Sequence, residues 1–525
     1  MRSVLLVAAA AAAKQPPLWP LPQNYSCSTQ KLTVIPSPAF FRVDAGNDVL
    51  AAAAKRYIPL AFPHGWGAPG VGLPALSVVV DDGVGATERA ARRPRRADDA
   101  GALYPALGDD ESYKLRITAT SATLKARTVW GALRGLETFS QLVAYNFDTA
   151  TYQVVACTIQ DAPRYPHRGL MVDSGRHFLP VATLLHVVDA LPFAKLNVLH
   201  WHLTDTQSFP VETPSRPSLW RGSFSKRERY SVEDVKRVVE RARLRGVRVV
   251  PEFDTPGHAE SWCSGYPGVC PSPTCKTPLD VSKAETFAVL DDVLGDAAKL
   301  FPDAFVHLGG DEVDTSCWAS TPSIQQWLRA VLRARNWTTA DAYSYFVSTA
   351  AKIARSHQKR PIQWAEVFDE FGATLDKSTI VHVWKLSTNI TEVVENGYDC
   401  LVNVGYVADS WYLDNLDVTW AQAYASDPRA TVPPHLQTKV LGGHGEMWGE
   451  TVDGSDFDAT VWPRLAAIGE RLWSSVDDVD AAWPRLEAFR CLLLERGVGA
   501  APLNNSMARA APVGPGACTQ RRRRI

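Results

Sequence analysis

Two adjacent acids, Asp311 and Glu312, end an apolar run in the stretch FVHLGGDEVDTSCW, residues 305–318. Two glycines precede them, and the pattern predicts that both acids stand at the end of a buried strand. Placing charge away from water is costly unless the charge is paired or used in chemistry. We therefore take this pair as the first candidate for acid–base catalysis.

More acids, together with aromatic side chains, follow other apolar runs of the chain. In a parallel (β/α)8 barrel the carboxyl ends of the strands carry the chemistry. The side chains predicted at the strand ends or opening a strand are Arg168, Asp173, His202, Asp205, Asp254, His258, Asp311, Glu312, Trp364, Glu366, Trp384, Tyr412, Asp414, Trp448 and Glu450. We interpret Asp173 and Asp254 as structural partners of the reacting groups.

Converging acids and aromatic rings suit a sugar, because polar groups fix its hydroxyls and rings stack on its apolar faces. Most retaining glycosidases place two carboxylates about 5 Å apart across the scissile bond. Neighbouring residues on a strand point to opposite faces, so Asp311 and Glu312 cannot easily form that pair. We expect one of them to do something other than attack the anomeric carbon.

The elements that must position these groups form an α/β pattern, in which short apolar runs alternate with helical segments. The runs are 169–173, 196–203, 247–254, 305–312, 361–367, 380–384, 399–404 and 440–450. The clearest helix is predicted over 231–246, with Ser231 as N-cap and Gly246 as the stop. A last helix is predicted over 479–497. Eight such units favour a closed barrel over an open doubly wound sheet.

A smaller α+β domain is predicted ahead of the barrel. Residues 111–126 alternate in the manner of strands, and residues 128–143 carry apolar side chains at helical spacing. The predicted division is a signal peptide over 1–15, an N-terminal domain over 16–160, the barrel over 161–507 and a tail over 508–525.

Bulk charge points to no nucleic acid and no membrane surface, since the 525-residue chain carries a net charge of −1. The basic runs at 92–96 and 521–524 are interpreted as a solvated loop and a tail. Residues 1–13, MRSVLLVAAAAAA, are typical of a short secretory signal and too short to span a bilayer. The expected location is the secretory pathway, ending in a lysosome, a vacuole or the extracellular space.

Glycosylation sequons and cysteines agree with that route. Sequons stand at Asn24, Asn336, Asn389 and Asn504. Nine cysteines fit an oxidising compartment, and the odd number leaves at least one unpaired within the chain.

Several long stretches resemble the β-N-acetylhexosaminidases of glycoside hydrolase family 20. They are PHRGLMVDSGRHFLP, KLNVLHWHLTDTQSFP, ARLRGVRVVPEFDTPGHAESW, VHLGGDEVDTSCW, GEMWGE and WPRLAAIGERLW, in the order of that family. The stretches ESYKLRITA and WGALRGLETFSQL resemble its N-terminal domain. The resemblance covers residues 18–507 and is closest to the eukaryotic lysosomal and plant vacuolar or secreted type.

The resemblance implies a role for each of the adjacent acids. Glu312 matches the general acid and Asp311 the residue that orients the substrate's 2-acetamido group, whose oxygen is the nucleophile. This family is a substrate-assisted exception to the rule of two facing carboxylates. Glu312 is expected to have a raised pKa, through burial and the charge of Asp311.

The resemblance also implies a set of sugar-binding residues. Arg168 corresponds to the clamp on the 3- and 4-hydroxyls, and Tyr412 to the hydrogen-bond donor to the acetamido oxygen. The remaining correspondences are Trp364, Trp384 and Trp448 as walls, Asp414 and Glu450 as partners of the 4- and 6-hydroxyls, and Asp205 and His258 as supports of the acid pair. An acid at position 414 favours neutral over sulfated sugars.

Neither a metal nor a cofactor is expected, and the substrates expected are β-linked N-acetylhexosaminides. By the same resemblance Cys491 pairs with Cys518, and Cys317 with Cys270 or Cys275. The pairing of Cys27, Cys157, Cys263 and Cys400 stays open. The family often forms dimers, so a homodimer is one expectation.

Two other classes of protein remain as alternatives. A metal-dependent barrel hydrolase would use the H-x-H spacing of His200 and His202, with His258 and Asp311 at other strand ends. An inactive sugar-binding protein on a glycosidase fold would be expected to lack the acid that Glu312 provides.

Overall fold

The computed structural model describes residues 16–66, 70–81, 103–331, 337–403 and 411–503. The predicted signal segment and tail, both basic runs, most of the 81–108 patch, Asn336, Asn504 and Cys518 lie outside these residues. No helix in the described ranges is long and apolar enough to cross a membrane.

An N-terminal sheet forms the first layer of the molecule. Its strands are β1 (Asn24–Val34), β2 (Phe41–Arg42), β3 (Leu76–Val80), β4 (Tyr113–Ile117), β5 (Ala122–Ala126), β6 (Ala144–Asn146) and β7 (Thr151–Asp161). The strand order is β1-β7-β4-β5-β3-β2, and β6 pairs with β7. Two helices pack against this sheet, α1 (Asp48–Ala61) and α2 (Val129–Leu142), and share one apolar core with it.

Eight parallel strands then close into a barrel. They are β8 (His167–Asp173), β9 (Val198–Thr204), β10 (Arg248–Phe253), β11 (Phe305–His307), β12 (Arg360–Trp364), β13 (Ile380–Val383), β14 (Asp399–Val402) and β15 (Val440–Met447). The barrel closes where β15 pairs with β8. The predicted fold class, a (β/α)8 barrel preceded by a smaller α+β domain, is confirmed.

Helices cover the outside of the barrel. They are α3 (Val181–Ala190), α4 (Val232–Arg243), α5 (Ala284–Leu300), α6 (Ser316–Ser320), α7 (Pro322–Val331), α8 (Thr339–Ser356), α9 (Ala365–Phe371), α10 (Ile390–Glu395), α11 (Trp420–Ala425), α12 (Phe457–Val461), α13 (Arg464–Trp473) and α14 (Val479–Glu495). Short 3-10 turns lie at Leu191–Ala194, Pro217–Gly222, Glu260–Ser264, Pro267–Val269, Gly372–Thr374 and Pro434–Lys439.

Helix α4 shows why the sequence signals worked. Ser231 accepts a hydrogen bond from the backbone of Asp234, and the Asp234 carboxylate accepts one from the Ser231 backbone, which makes a capping box. Gly246 follows the helix with a φ of 64°, a value that suits glycine. The predicted helix over 231–246 is thus confirmed, with its regular part ending at Arg243.

The interior of the barrel changes character along its axis. Its floor is apolar and consists of Val198, Val250, Phe305, Ile362, Ile380, Leu401 and Leu441. The next side chains along the same strands include His200, Glu252, His307 and His382, all fully buried. Polar groups therefore begin well below the mouth of the barrel.

Three disulfides join described cysteines. Cys275 pairs with Cys317, which selects one of the two predicted alternatives, and Cys263 pairs with Cys270. Cys27 pairs with Cys157, its neighbour across β1 and β7. Cys400 is free and buried, and Cys491 is disulfide-bonded.

Candidate active site

The chain turns sharply where β11 ends. Gly309 and Gly310 have φ values of 67° and 98°, and an added Cβ at Gly309 would lie 1.7 Å from Asp254 Oδ1. Only glycine fits there, because a side chain would be both strained and in collision. Strand β11 therefore stops at His307, earlier than predicted, and Asp311 and Glu312 lie in the loop at the barrel mouth. Glu312 itself has a φ of 49°, which is strained for a residue with a side chain.

Asp311 is buried beside a second carboxyl group, that of Asp254. Burial raises the pKa of both groups, and the charge of Asp311 raises the pKa of Asp254 further, well above its usual range. A hydrogen bond from Asp254 in turn favours the charged form of Asp311. Two buried carboxylates in contact cannot both ionise, so Asp254 holds the proton and Asp311 the charge. Asp311 Oδ1 is buried without a hydrogen-bond partner, so it is open to a donor from a ligand.

His258 connects the acid pair to Asp205. Its Nδ1 lies 3.3 Å from Asp205 Oδ1, and its Nε2 lies 3.5 Å from Glu312 Oε2 and 3.8 Å from Asp311 Oδ2. Burial lowers the pKa of His258, but the hydrogen bonds with Asp205 and Glu312 and the charge of Asp311 act against burial and raise this pKa above its usual range. The ring is therefore an imidazolium that holds both acids on one side of the mouth.

The expected raised pKa of Glu312 is not what the structure shows. Its side chain is 61% exposed, so burial acts weakly. The hydrogen bond with His258 has the larger effect and lowers the pKa of Glu312 below its usual range. In the absence of substrate Glu312 is thus an ionised partner of His258.

A buried chain of contacts supports this arrangement from below. His202 Nε2 lies 2.8 Å from Asp205 Oδ2, and His202 Nδ1 lies 2.7 Å from Glu252 Oε2. Trp364 Nε1 donates to Glu252 Oε1 at 2.9 Å. Because these contacts share Glu252, the acid pair and the aromatic floor of the mouth are held by one connected set of side chains.

The three predicted tryptophans lie at or just after the carboxyl ends of β12, β13 and β15. Trp364 is 1% exposed and forms a floor, with its ring 4.3 Å from His382 and 5.9 Å from Trp448. Trp384 donates to Glu366 Oε2 at 2.8 Å, and its ring lies 6.4 Å from the ring of Tyr412.

Asp414 and Glu450 lie near each other on the same rim. Burial first, and then the charge of Glu450, raise the pKa of Asp414 to about 6. Asp414 Oδ1 has no hydrogen-bond partner and is buried, as is Asp311 Oδ1. These two unpartnered oxygens are places where sugar hydroxyl or amide groups can donate.

Family models and relatives show which family the chain belongs to. Residues 165–476 match the model described as glycosyl hydrolase family 20, catalytic domain, and residues 18–142 match the one described as beta-acetyl hexosaminidase like. Beta-hexosaminidase 1 of Arabidopsis thaliana is 43% identical over 540 residues, covering 96% of this chain and 95% of that protein. Beta-hexosaminidase 3 of the same plant is 46% identical over 423 residues, covering 78% and 77%.

Solved structures resemble the chain as well. The chitobiase of Flavobacterium johnsoniae is 28% identical, with a TM-score of 0.76, and the match covers 92% of this chain and 73% of that one. The chain belongs to glycosyl hydrolase family 20. It is a glycoside hydrolase of the β-hexosaminidase type, as its sequence motifs predicted.

The prediction that Arg168 of this hexosaminidase binds the sugar was wrong. Arg168 lies near the amino end of β8, at the opposite end of the barrel from the acids, and is fully buried. Its guanidinium bonds Glu111 Oε2 at 2.6 Å and the backbone oxygens of Tyr165 and Lys195. Because it is buried at the end of the barrel far from the acids, it cannot clamp a sugar at the mouth.

The arginine at the mouth of the hexosaminidase is Arg176, which the sequence interpretation missed. It lies 3.0 Å from Asp173, 3.1 Å from Asp205 and 3.3 Å from Glu450, and its guanidinium stands 4.8 Å from the ring centre of Trp448. A usable signal was its position three residues after Asp173, beyond the carboxyl end of β8. Asp173, interpreted from sequence as a structural partner, holds it.

Two further groups of the site had no clear sequence signal. Glu252 lies inside β10, and only the fold shows that it bonds His202 and Trp364. Lys385 follows Trp384 and lies 2.9 Å from Glu366 Oε1, which places a cation beside the mouth.

Proposed function

We propose that this hexosaminidase removes terminal, non-reducing GlcNAc or GalNAc residues by attack of the substrate's own acetamido oxygen on C1. Glu312 gives its proton to the glycosidic oxygen as that bond breaks, and a cyclic oxazolinium forms. Glu312 then takes a proton from water, water attacks C1, the ring reopens, and the sugar keeps its β-configuration. An internal nucleophile is already close to C1, so little entropy is lost in the attack.

One observation supports this proposal above the others. The same nitrogen of His258 contacts both Glu312 and Asp311, so the acids stand on one side of the mouth instead of facing each other across it. Asp311, whose charged form is favoured by the charge of His258 and then by a hydrogen bond from Asp254, is suited to accept the acetamido N–H and to balance the positive charge that grows on that nitrogen.

Binding of the substrate favours the protonated form of Glu312, which the empty site does not. Glu312 must be protonated to act as an acid, yet its exposed carboxylate pairs with His258. The leaving group of a bound substrate covers this carboxylate and removes water from it. Desolvation disfavours the charged form, which raises the pKa of Glu312 when the proton is needed.

Arg176, not Arg168, is the residue we assign to binding the sugar hydroxyls. Its guanidinium has partners on both sides of the mouth and stands over Trp448. Asp414 and Glu450 complete the rim, with Tyr412 and the three tryptophans around the acetamido group.

The test of the acid is Glu312→Gln, assayed on a natural oligosaccharide and on an aryl glycoside with a good leaving group. The amide fills the same space but cannot give a proton, and general acid catalysis contributes about 10²–10⁴-fold. We expect a loss of that size on the oligosaccharide and a smaller loss on the aryl substrate. Equal losses on both substrates, or near-normal turnover of the oligosaccharide, would exclude Glu312 as the acid.

We further propose that the protein travels through the secretory pathway to a vacuole, a lysosome or the extracellular space, and that it forms a homodimer. The disulfides support an oxidising compartment. Light scattering coupled to size exclusion, run on the glycosylated protein, measures the mass of the particle; one chain per particle would exclude the dimer.

A further inference from the structure

The interior of the barrel holds a cluster of imidazoles that hydrolysis does not use. His200, His382 and His444 come from β9, β13 and β15, and each is at most 1% exposed. Barrel interiors of this kind are usually filled by branched apolar side chains. The layer that contains Val198 and Val250 is filled in this way. Three histidines meeting at this depth therefore need an explanation.

One ligand atom of each of these three histidines lies within 4.8 Å of those of the other two. A tetrahedral zinc ion, bound at about 2.0–2.1 Å, separates its ligand nitrogens by about 3.4 Å. Binding of an ion would therefore draw the three rings closer together. The cluster is thus close to the geometry of a three-histidine metal site.

The nitrogens that face this point lack hydrogen bonds. His382 uses Nδ1 toward His307, and His444 uses Nε2 toward His167, so His382 Nε2 and His444 Nδ1 are left over. His200 has no aligned partner at either nitrogen, although its Nε2 lies 2.8 Å from Glu252 Oε2. A buried polar atom without a partner costs about 1–3 kcal/mol, so three of them at one point favour an occupant.

A carboxylate lies beside two of these three histidines. Glu446 Oε1 lies 3.3 Å from His382 Nε2 and 3.5 Å from His444 Nδ1, and accepts a bond from Asn403 at 2.9 Å. Glu446 Oε2 is buried and has no partner. A carboxylate provides both a fourth ligand and the negative charge that a divalent ion requires.

We propose that His200, His382 and His444, together with Glu446, bind one divalent transition-metal ion, with zinc as the best fit, inside the barrel. Nitrogen and carboxylate ligands in a closed, four-coordinate site are typical of structural zinc. The proposal is independent of the hydrolytic mechanism, and no step of the reaction passes through the ion.

The ion would position the active site from beneath. The ring of His382 stacks on that of Trp364 at 4.3 Å with an interplanar angle of 22°. Fixing His382 therefore fixes the floor of the sugar pocket. His382 acts here as a positioning residue, since it reaches the substrate only through Trp364.

The experiment measures metal content directly. The full chain is produced in zinc-supplemented medium, purified without chelator, dialysed and analysed by plasma mass spectrometry. We expect about one zinc ion per chain, with nitrogen and oxygen ligands at about 2.0–2.1 Å in the zinc-edge X-ray absorption spectrum. A zinc content below about a tenth of an ion per chain would overturn the proposal. The cluster would then hold a proton shared between its side chains instead of a metal ion.

Two variants and a control locate the ion. His382→Gln and Glu446→Gln are expected to lose most of the bound zinc. His186→Gln, which changes a partly exposed histidine paired with Asp458, is expected to keep it. Zinc retained equally in all three would mean binding elsewhere and would also overturn the proposal. If the two variants fail to fold, the wild-type metal content and absorption spectrum decide.

Discussion

Two arginines eight residues apart lie at opposite ends of the barrel and differ in whether their surroundings are complete. Around Arg168 the protein supplies every partner, because Glu111 also binds Arg134 at 2.7 Å and Asn197 at 2.8 Å. Around Arg176 one partner, Glu450, is 54% exposed, and Asp311 and Asp414 at the same mouth each have a buried oxygen without a hydrogen-bond partner. A closed network stabilises the fold, whereas an open one leaves room for a substrate.

The first prediction tests the closed network around Arg168. Arg168→Met leaves the buried Glu111 with less positive charge, and removing one partner of a buried ion pair costs about 3–5 kcal/mol. We expect the free energy of unfolding to fall by that amount in denaturant titration. The folded fraction should keep the wild-type KM, because Arg168 does not touch the site.

A surface arginine provides the matched control for that variant. Arg355 pairs with Asp376, and both side chains are about one-third exposed. Arg355→Met is expected to cost only about 0–1 kcal/mol. If Arg168→Met is no more destabilising than Arg355→Met, the closed network contributes little to stability.

The second prediction tests the open network around Arg176 at the barrel mouth. Arg176→Gln removes charged hydrogen bonds that we assign to sugar hydroxyls, and bonds to charged groups contribute about 1.5–3 kcal/mol. We expect kcat/KM to fall about 10–150-fold, with a smaller change in thermal stability than in Arg168→Met. An Arg176→Gln enzyme with unchanged kinetics would mean that the second arginine is structural too.

The third prediction concerns pH. Hydrolysis requires a protonated Glu312, so kcat/KM falls as the pH rises through the pKa of Glu312 in the free enzyme. The groups that lower this pKa are His258 first, then Arg176 and Lys385. His258→Gln removes the largest of them, so the pKa rises and the decline moves to higher pH. A pH profile of kcat/KM measures the shift. A decline that stays in place or moves to lower pH would contradict the pairing of Glu312 with His258.

The fourth and smallest effect concerns specificity. A carboxylate at position 414 repels a 6-sulfate, and a guanidinium next to it attracts one. Asp414→Asn combined with Asn415→Arg is expected to raise the ratio of sulfated to neutral GlcNAc hydrolysis. The measurement is a competition assay with both sugars. A constant ratio would mean that Asp414 does not lie near the 6-position of the sugar.

Much of this fold could be predicted from sequence because buried parallel strands form continuous apolar runs between capped helices. The end of β11 could not, since the close approach of Gly309 to Asp254 joins residues that are distant in the chain. The same holds for the pairing of Cys27 with Cys157, which depends on the register of two strands.

The candidate site was predictable in part, for a related physical reason. The residue types at strand ends indicated acids, tryptophans and a sugar. The pattern placed Arg168 at the start of β8, but the resemblance assigned this arginine to the sugar hydroxyls, and Arg176, beyond the carboxyl end of the strand, was missed. Nor did it show the exposure of Glu312 or its contact with His258, which reverses the expected direction of the pKa shift.

The most direct test of substrate assistance is a series of aryl GlcNAc substrates whose acetamide carries zero to three fluorine atoms. Fluorine withdraws electrons from the carbonyl oxygen, so if that oxygen attacks C1, kcat must fall steeply with each fluorine. The matching plain glucoside, which has no acetamide, should be nearly inert even at saturation. A flat series, or a 2-fluoro sugar found covalently attached to a carboxylate of the protein, would show that the enzyme supplies its own nucleophile.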